Sequence, residues 1–394
     1  MKHLIEYYQN KFFRLLLFTV LFTACNHIPE TDFLVHEAPF VTINVDSANL
    51  SSNVADSLIE ITNIVPLETV DSIPETIISS PFWVKKIISL DTLILVFDQN
   101  FRNVSAYSHS GKYLRSIGSL GSGPGKSTFI LDVVYNYLKN AIFIISNSPG
   151  KIMEFDLEGK LIREHKIDFY PSSMAFLQSG EYIFDINYNY NDVSGNNNVI
   201  VTDSLFNVIS RCLPIIERKT KTLLPSNLMN GGIFGNKFSG TIYNPSYTTA
   251  IYEIKKNGLM PLYYVKFPGA TDLKLGIPKL KHPEDSLNYE LSGTIIKNER
   301  FVGANFSETN LQKFGRLFFD MENQKLFVST NSAFSTTKGI PWPIFQSEQK
   351  LMMLVNLSEF LETTAMPPNI TSSISKEKTN SRLAIVSFNL KNSL

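Results

Sequence analysis

The feature that most constrains this sequence is a hairpin pattern that recurs about every 50 residues along its middle. Three segments share it: VSAYSHSGKYLRSI from Val104, IMEFDLEGKLIREHKI from Ile152, and IYEIKKNGLMPLYYVKF from Ile251. In each copy an apolar residue stands seven positions before a glycine, which is Gly111, Gly159 or Gly258. A tight turn between strands needs a positive φ, and glycine adopts it without a Cβ penalty. The pattern therefore predicts equivalent hairpins in successive units.

A looser copy, VIVTDSLFNVISRC, places Asn207 at the turn, so that the turn residues are 48, 48 and 51 positions apart. That period is close to the length of a four-stranded propeller blade. The strands upstream agree, because Phe97 precedes Tyr107 by ten positions and Ile145 precedes Phe155 by ten. The segments GRLFFDMENQKLFVST and LAIVSFNLK supply further strands. We predict an all-β fold, a six-bladed β-propeller of four-stranded antiparallel blades, over residues 58–394.

Residues 1–24 have the layout of a signal peptide, in which basic residues precede an apolar run, LLLFTVLFTA, that ends at Ala24. Its ten residues would form a helix of about 15 Å, too short for a hydrocarbon core of about 30 Å. The stretch LFTAC resembles a bacterial lipobox, which predicts acylation of Cys25; a chance cysteine after an ordinary signal peptide is the alternative. Residues 25–57, which are polar, are predicted to form a tether. We therefore expect a lipid-anchored cell-envelope protein at the outer membrane or periplasmic face.

Several motifs together resemble a known family. They are VPLET at 65–69, the hairpins with a turn glycine, the Gly-Pro-Gly loop at 123–125, and NFSETN at 305–310. From about Ile64 to the C-terminus the chain is similar to the six-bladed β-propeller lipoproteins of Bacteroidetes, which resemble NHL-type propellers. The resemblance implies radial blades around a channel, closed by pairing an N-terminal strand with the last blade. It implies no reaction, because propellers have many unrelated functions.

Charge and motif spacing argue against several classes of ligand. The 36 basic residues balance 36 acidic ones, and no Lys/Arg stripe alternates with aromatics, so we predict no nucleic-acid binding. The loop GSGPGKST fails as a nucleotide-binding loop, because Leu120 occupies the place of the required first glycine. It is predicted to be a glycine-rich loop between blades. The six histidines lie far apart, and we predict no metal site and no other cofactor.

Acidic residues follow several predicted strands, at Asp98, Asp156, Asp185, Asp203 and Asp320. We interpret them as caps of backbone amides in turns rather than as catalytic pairs. Cys212 is similarly interpreted as a small residue that packs within a strand.

The polar, aromatic segment FDINYNYNDVSGNNN, residues 184–198, interrupts the repeat and is predicted to be a long loop. Tyr188 and Tyr190 are its candidate ligand-binding residues, because their rings offer flat faces and hydroxyl tips. Trp342, between two prolines, is a further candidate as an exposed ring. The alternative is that these aromatics pack on their own blades.

Two functions remain open. The first is a non-catalytic binding or scaffold domain for a glycan, a peptide or a protein partner. The second is an envelope enzyme, a lyase, hydrolase or transferase, with its active site at the channel. A cluster of His, Asp or Arg at a channel mouth would favour the enzyme, and an aromatic, amide-rich mouth would favour the binder.

Overall fold

The computed structural model describes residues 33–391, with gaps at 71, 148–149, 188–191, 215–231, 237–239, 247, 270–288, 309–313, 331–335, 337–341, 348–349 and 365–380. Its N-terminal part contains three strands: β1 (Leu34–Val35), β2 (Val41–Asn44) and β3 (Ile59–Pro66). Four short 3-10 helices lie in or after this part: Asn49–Ser51, Ala55–Leu58, Pro74–Thr76 and Pro81–Trp83.

Blades 1 to 3 are each formed by four consecutive antiparallel strands. Blade 1 contains β4 (Val84–Ser89), β5 (Ile94–Asp98), β6 (Asn103–Tyr107) and β7 (Tyr113–Ser116). A two-stranded ladder follows, made of β8 (Ser119–Leu120) and β9 (Lys126–Ser127). Blade 2 contains β10 (Ile130–Asn136), β11 (Ala141–Asn147), β12 (Gly150–Phe155) and β13 (Leu161–Lys166). Blade 3 contains β14 (Ser173–Phe176), β15 (Tyr182–Asp185), β16 (Asn197–Thr202) and β17 (Val208–Pro214).

Blades 4 to 6 complete a six-bladed propeller, which confirms the predicted fold. Blade 4 contains β18 (Gly232–Asn236), β19 (Gly240–Asn244), β20 (Ala250–Lys255) and β21 (Gly258–Lys266). Blade 5 contains β22 (Tyr289–Lys297), β23 (Phe301–Glu308), β24 (Phe314–Asp320) and β25 (Lys325–Ser329). Blade 6 contains β26 (Ile344–Ser347), β27 (Lys350–Asn356) and β28 (Leu383–Leu390), and its fourth strand is β3. The helix α1 (Leu357–Thr363) follows β27, and no helix among the described residues is long and apolar enough to cross a membrane.

The predicted closure is present, because β3 pairs antiparallel with β28 and places Val65 opposite Ile385. The VPLET motif continues from this seam to blade 1. Its Glu68 accepts a hydrogen bond from the Tyr113 amide at 2.8 Å and donates its own amide to the Gly111 carbonyl at 2.8 Å. Gly111 cannot carry a side chain here, because a Cβ would overlap the carbonyl oxygen of Pro66.

The hairpins between the third and fourth strands of blades 1 to 3 share one turn. The amides of Gly111, Gly159 and Phe206 donate to carbonyls three residues earlier, at 2.9, 3.1 and 3.1 Å, and their φ values are +86°, +81° and +67°. The predicted equivalence of Gly111 and Gly159 is therefore confirmed. The third turn residue is Phe206, not Asn207, and its ring stacks on Tyr182 with centroids 4.6 Å apart. We interpret this packing as what stabilises a φ unfavourable to a residue with a Cβ.

Alternating side chains of a strand fill the spaces on either side of its blade. In β11, Ile142 and Ile144 pack toward blade 1 in a cluster with Phe97, whereas Phe143 and Ile145 pack toward blade 3. Both faces of this sheet are buried. The strand therefore has a continuous apolar run in place of an apolar–polar alternation.

The segment 33–66, which we term the N-terminal strap, crosses the outer edges of three blades. Strands β1 and β2 pair in parallel with β21 of blade 4, Val54 donates its amide to Val328 of blade 5 at 3.0 Å, and β3 completes blade 6. Ile43 and Ala55 are 1% and 0% exposed. The segment assigned to a tether, 25–57, is therefore packed on the domain from residue 33 onward.

Candidate functional site

The six inner strands, β4, β10, β14, β18, β22 and β26, surround a central channel. We term the face where these strands begin the first face and the face where they end the second face. A cavity of about 610 Å³ occupies the channel and is lined by residues of all six blades. We term it the channel cavity.

Inner strands have a free backbone edge, which here is satisfied by side chains of neighbouring blades. Lys85 Nζ of blade 1 donates to the Leu131 carbonyl of blade 2 at 2.7 Å. Asp132 Oδ2 of blade 2 accepts from the Met174 amide of blade 3 at 3.1 Å. These bonds give several polar channel residues a role in holding the ring together.

The junctions between blades 3 and 4, between blades 5 and 6, and between blades 6 and 1 use the same device. Ser173 Oγ accepts from the Ile233 amide at 3.0 Å. The Gln346 side chain accepts from the Lys297 amide at 2.6 Å and donates to its carbonyl at 2.7 Å. Ser347 Oγ accepts from the amide of Ser89 at 2.8 Å. The inner strands are thus joined through side-chain bonds at several blade junctions.

A polar cluster lies at the first-face end of the channel and consists of Lys85, Lys86, Asp132, Ser172 and Asp185. Lys86 Nζ forms an ion pair with Asp132 Oδ2 at 2.8 Å, and Asp132 is 0% exposed. Lys85 Nζ also donates to the Ser172 carbonyl at 2.6 Å, and Ser172 Oγ donates to Asp185 Oδ2 at 2.7 Å. The cluster therefore links blades 1, 2 and 3 across the channel.

Burial shifts two pKa values in this cluster. The pKa of Lys85 lies below its ordinary value, mainly because burial disfavours the ammonium, although Asp132 opposes the shift. Burial also raises the pKa of Asp185 to about 6. Hydrogen bonds from Ser172 and from Tyr243, whose hydroxyl donates to Asp185 Oδ1 at 3.0 Å, limit that rise.

The second-face end of the channel is aromatic and amide-bearing. Its ring and amide residues are Tyr135, Tyr137, Phe176, Phe234, Phe345, Gln178 and Gln346. Glu253 is the only carboxylate of the described lining, and Lys255 pairs with it at 2.8 Å. The described lining contains no His, Cys or Arg, and no three His, Cys, Asp or Glu side chains of the described chain are grouped as metal ligands. This mouth is therefore aromatic and amide-bearing, whereas the first-face end contains the aspartates Asp132 and Asp185.

The predicted ligand-binding tyrosines, Tyr188 and Tyr190, lie outside the described residues, as does Cys25. The chain enters and leaves their segment at the first face, since β15 ends at Asp185 and β16 begins at Asn197.

Trp342 is not the exposed ring expected from the sequence, because only 1% of it is exposed. Its ring stacks on Phe82 with centroids 6.0 Å apart and packs with Phe318 and Phe360 between blades 5 and 6. Its carbonyl accepts a hydrogen bond from the buried Arg316 at 2.7 Å. The segment before β26 thus inserts this ring into an interblade core.

The interpretation of the acidic residues as turn caps is confirmed. Asp98 Oδ1 accepts from the amides of Asn100 and Phe101, and Asp320 Oδ1 accepts from those of Glu322 and Asn323. The remaining three cap in the same manner: Asp156 through Lys160, Asp185 through Asn187, and Asp203 through Leu205 and Asn207. Only Asp185 also belongs to the polar cluster.

The Gly-Pro-Gly loop connects blade 1 to blade 2, as predicted. The Gly125 amide donates to Glu164 Oε1 at 2.7 Å, and Lys151 Nζ donates to the same oxygen at 2.9 Å. The Gly125 amide, which a bound phosphate would need as a donor, is thus already hydrogen-bonded to a carboxylate of the chain itself. Cys212 is buried in β17, and burial raises the pKa of its thiol.

Sequence reasoning did not identify the channel residues. One signal was available, because Lys85 and Lys86 interrupt the apolar strand VKKIIS. Two adjacent lysines in a buried strand need partners, which here are provided by blades 2 and 3. The mouth residues had no such signal, since Tyr135 and Gln178 look like ordinary strand and turn residues.

Comparisons with known proteins give one family and two informative structures. The family model described as "Domain of unknown function (DUF4934)" matches residues 40–390. A Bacteroides fragilis protein named as an exported protein is 17% identical, with a TM-score of 0.69 over 89% of this chain and 100% of its own. A Bacteroides vulgatus member of the duf4221 family is 10% identical, with a TM-score of 0.52 over 86% of this chain and 100% of its own. None of the curated proteins compared with the chain matches it.

Proposed function

We propose that this chain, which belongs to the DUF4934 family over residues 40–390, binds a small ligand in the channel cavity of its propeller. The observation that supports this is the cavity itself, about 610 Å³ lined by all six blades. Small-molecule sites of proteins are concave, largely preformed and about 300–1,000 Å³ in volume. The ligand is of the glycan or peptide class, for which tyrosine rings and amides are suitable contacts.

Binding is favoured over catalysis by the chemistry of the lining. Among its described residues Glu253 is the only carboxylate, and it is paired with Lys255. General acid–base catalysis typically needs two positioned proton-transfer groups. In the polar cluster, Lys85 and Asp132 bond to the backbone of neighbouring blades, and Lys86 is paired with Asp132.

We further propose that the protein is a lipoprotein of the cell envelope, related to NHL-like propellers and attached through Cys25. The leader pattern supports this location, and so does the similarity to a Bacteroides protein named as exported. Two lipid chains or more give stable membrane attachment, at about 0.8 kcal/mol per buried methylene. Cys25→Ala should therefore move the protein from the membrane fraction to the soluble fraction. A mature protein that begins elsewhere and carries no lipid, by mass spectrometry, would overturn this proposal.

The channel site is tested by occluding it. The mature protein is screened by thermal shift against mono- and disaccharides and di- and tripeptides, and we expect a member of the panel to raise the Tm. Thr241→Trp/Gln178→Trp places two indoles at the second-face mouth and should abolish this shift. Ser110→Trp, on an exposed hairpin of blade 1, is the matched control and should retain it.

A second part of the experiment tests Tyr188 and Tyr190, which are proposed as an alternative binding site at the first face. Tyr188→Ala/Tyr190→Ala should leave the shift unchanged if the ligand occupies the channel cavity. Loss of binding in this variant, with full binding in the occluded one, would transfer the site to the first face. Product formed from the bound ligand would favour the enzyme alternative, a lyase, hydrolase or transferase.

A further inference from the structure

Resting on the proposed function, we infer that the ligand of the channel cavity carries a carboxylate and that Lys86 binds it. Lys86 is the one residue that belongs to both the polar cluster and the cavity lining. It therefore presents a positive charge at the inner end of the cavity.

The ammonium of Lys86 is held in place before any ligand arrives. Its Nζ lies 2.8 Å from Asp132 Oδ2, and that oxygen is itself fixed by the Met174 amide at 3.1 Å. A lysine ammonium has three donors, of which Asp132 takes one. The Lys86 side chain is 15% exposed, so a ligand reaches the group in a largely desolvated environment. Charge-assisted hydrogen bonds are strong under these conditions.

The charge of the lining is positive. It contains three ammonium groups, Lys86, Lys255 and Lys256, against one carboxylate, Glu253. Asp132 lies behind Lys86 and outside the lining, and positive charge is in excess even when it is included. Lys256 stands exposed at the mouth, where it attracts an anion from solution. This excess attracts an anionic ligand and repels a cationic one.

The remaining lining suits the uncharged part of such a ligand. Tyr137 and Phe176 are half-buried, and Gln178 is exposed at the rim. Rings of this kind pack against the faces of sugars or against peptide side chains. A sugar acid and the C-terminal carboxylate of a short peptide share the chemistry that Lys86 recognises.

The test uses two pairs of probes that differ only in the charge of one group. They are galacturonic acid with its methyl ester, and N-acetyl-alanyl-alanine with its C-terminal amide. Titration calorimetry of the mature protein should show one acid binding about tenfold or more tightly than its neutral partner. The pair that responds identifies the source as glycan or peptide. Added salt should reduce the difference.

The variant that removes the charge is Lys86→Met/Asp132→Asn. Changing both partners avoids an unpaired buried carboxylate, and the asparagine oxygen still accepts from the Met174 amide. The acid should lose about tenfold in affinity, to the level of its neutral partner, which itself should not change. Lys166→Met/Asp168→Asn, which removes an exposed lysine–aspartate pair at the end of β13, is the matched control, because both double variants leave the net charge unchanged.

The outcomes separate the inference from the proposed function. If an acid and its neutral partner bind equally, or if Lys166→Met/Asp168→Asn weakens the acid as much, the carboxylate inference is overturned and the binding function stands. If none of the four probes binds but a ligand of the thermal-shift panel that has no carboxylate does, the inference is also overturned. If no ligand binds the cavity in either experiment, the proposed function fails as well.

Discussion

The two ends of the channel are built from the same six inner strands, yet they use polar side chains differently. At the first-face end, Lys85 and Asp132 bond to the backbone of neighbouring blades, and Asp132 is 0% exposed. At the second-face end, Glu253 and Lys255 pair with each other at the surface, with 17% and 52% of their side chains exposed. At the first-face end charged side chains join neighbouring blades, whereas at the second-face end the charged pair lies within blade 4 and the neutral Gln346 and Ser347 join the blades.

The difference follows from desolvation. A buried ion pair gains little over an apolar pair, but removal of one partner leaves a charge without water or counter-ion. A surface pair loses little when it is broken, because water replaces the lost partner. We therefore expect the loss of one charged partner to lower stability more at the first-face end than at the second-face end.

The largest effect expected from this comparison is that of Lys86→Met. It leaves Asp132 buried and unpaired, and should lower the free energy of unfolding by about 3–5 kcal/mol. The matched change at the other end, Lys255→Met, should cost about 1 kcal/mol or less. Urea denaturation of both variants measures the difference. Equal losses would mean that the two ends are not distinct in this respect.

A smaller effect concerns pH. The folded state raises the pKa of Asp185 from 3.8 to about 6, so folding favours its protonated form. The contribution of Asp185 to stability is therefore full below pH 3.8 and is lost as the pH rises to about 6. The loss amounts to about 3 kcal/mol at most. Asp185→Asn removes it, so wild type should lose stability relative to this variant across that window. Thermal unfolding measures the Tm of both proteins from pH 4 to 7. If the two Tm values change in parallel over this range, the assignment is contradicted.

The smallest effect is that of a single hydroxyl. Ser173→Ala leaves the Ile233 amide without its acceptor in a buried junction, and should cost about 1–3 kcal/mol. Ser179→Ala, at the second-face mouth, removes a hydroxyl that bonds the exposed Glu181, and should change stability by about 0.5 kcal/mol or less. If chemical denaturation shows the same small change for both, the Ser173 bond contributes nothing to the ring.

Sequence patterns predicted the features that depend on local backbone chemistry. The turn glycines Gly111 and Gly159 and the capping aspartates are of this kind, because a turn is determined by a few adjacent residues. The third turn was misassigned by one residue because Phe206 adopts a positive φ. The energetic cost of this conformation is offset by packing of its ring on Tyr182, which is distant in the sequence. Trp342 was misjudged for the same reason, since its partner Phe82 lies far away in the chain.

The channel site was beyond local patterns, because it is assembled from residues of all six blades. The strand VKKIIS does show that Lys85 and Lys86 need partners, but not which ones. Those partners, Leu131 and Asp132, become neighbours only through the order in which the blades pack around the axis. That order is a property of the closed ring and not of any one repeat.

The seam between β3 and β28 also has a consequence for the order of folding events. Strand β3 lies at the start of the domain, but its partner lies at the end, with Pro66 opposite Ala384. In a chain that emerges N-terminus first, the β3 strand of the N-terminal strap lacks its partner β28 until synthesis is nearly complete. Pairing between such distant segments is slow, since loop-closure entropy opposes it. We therefore expect the first five blades to assemble early and the seam to form last.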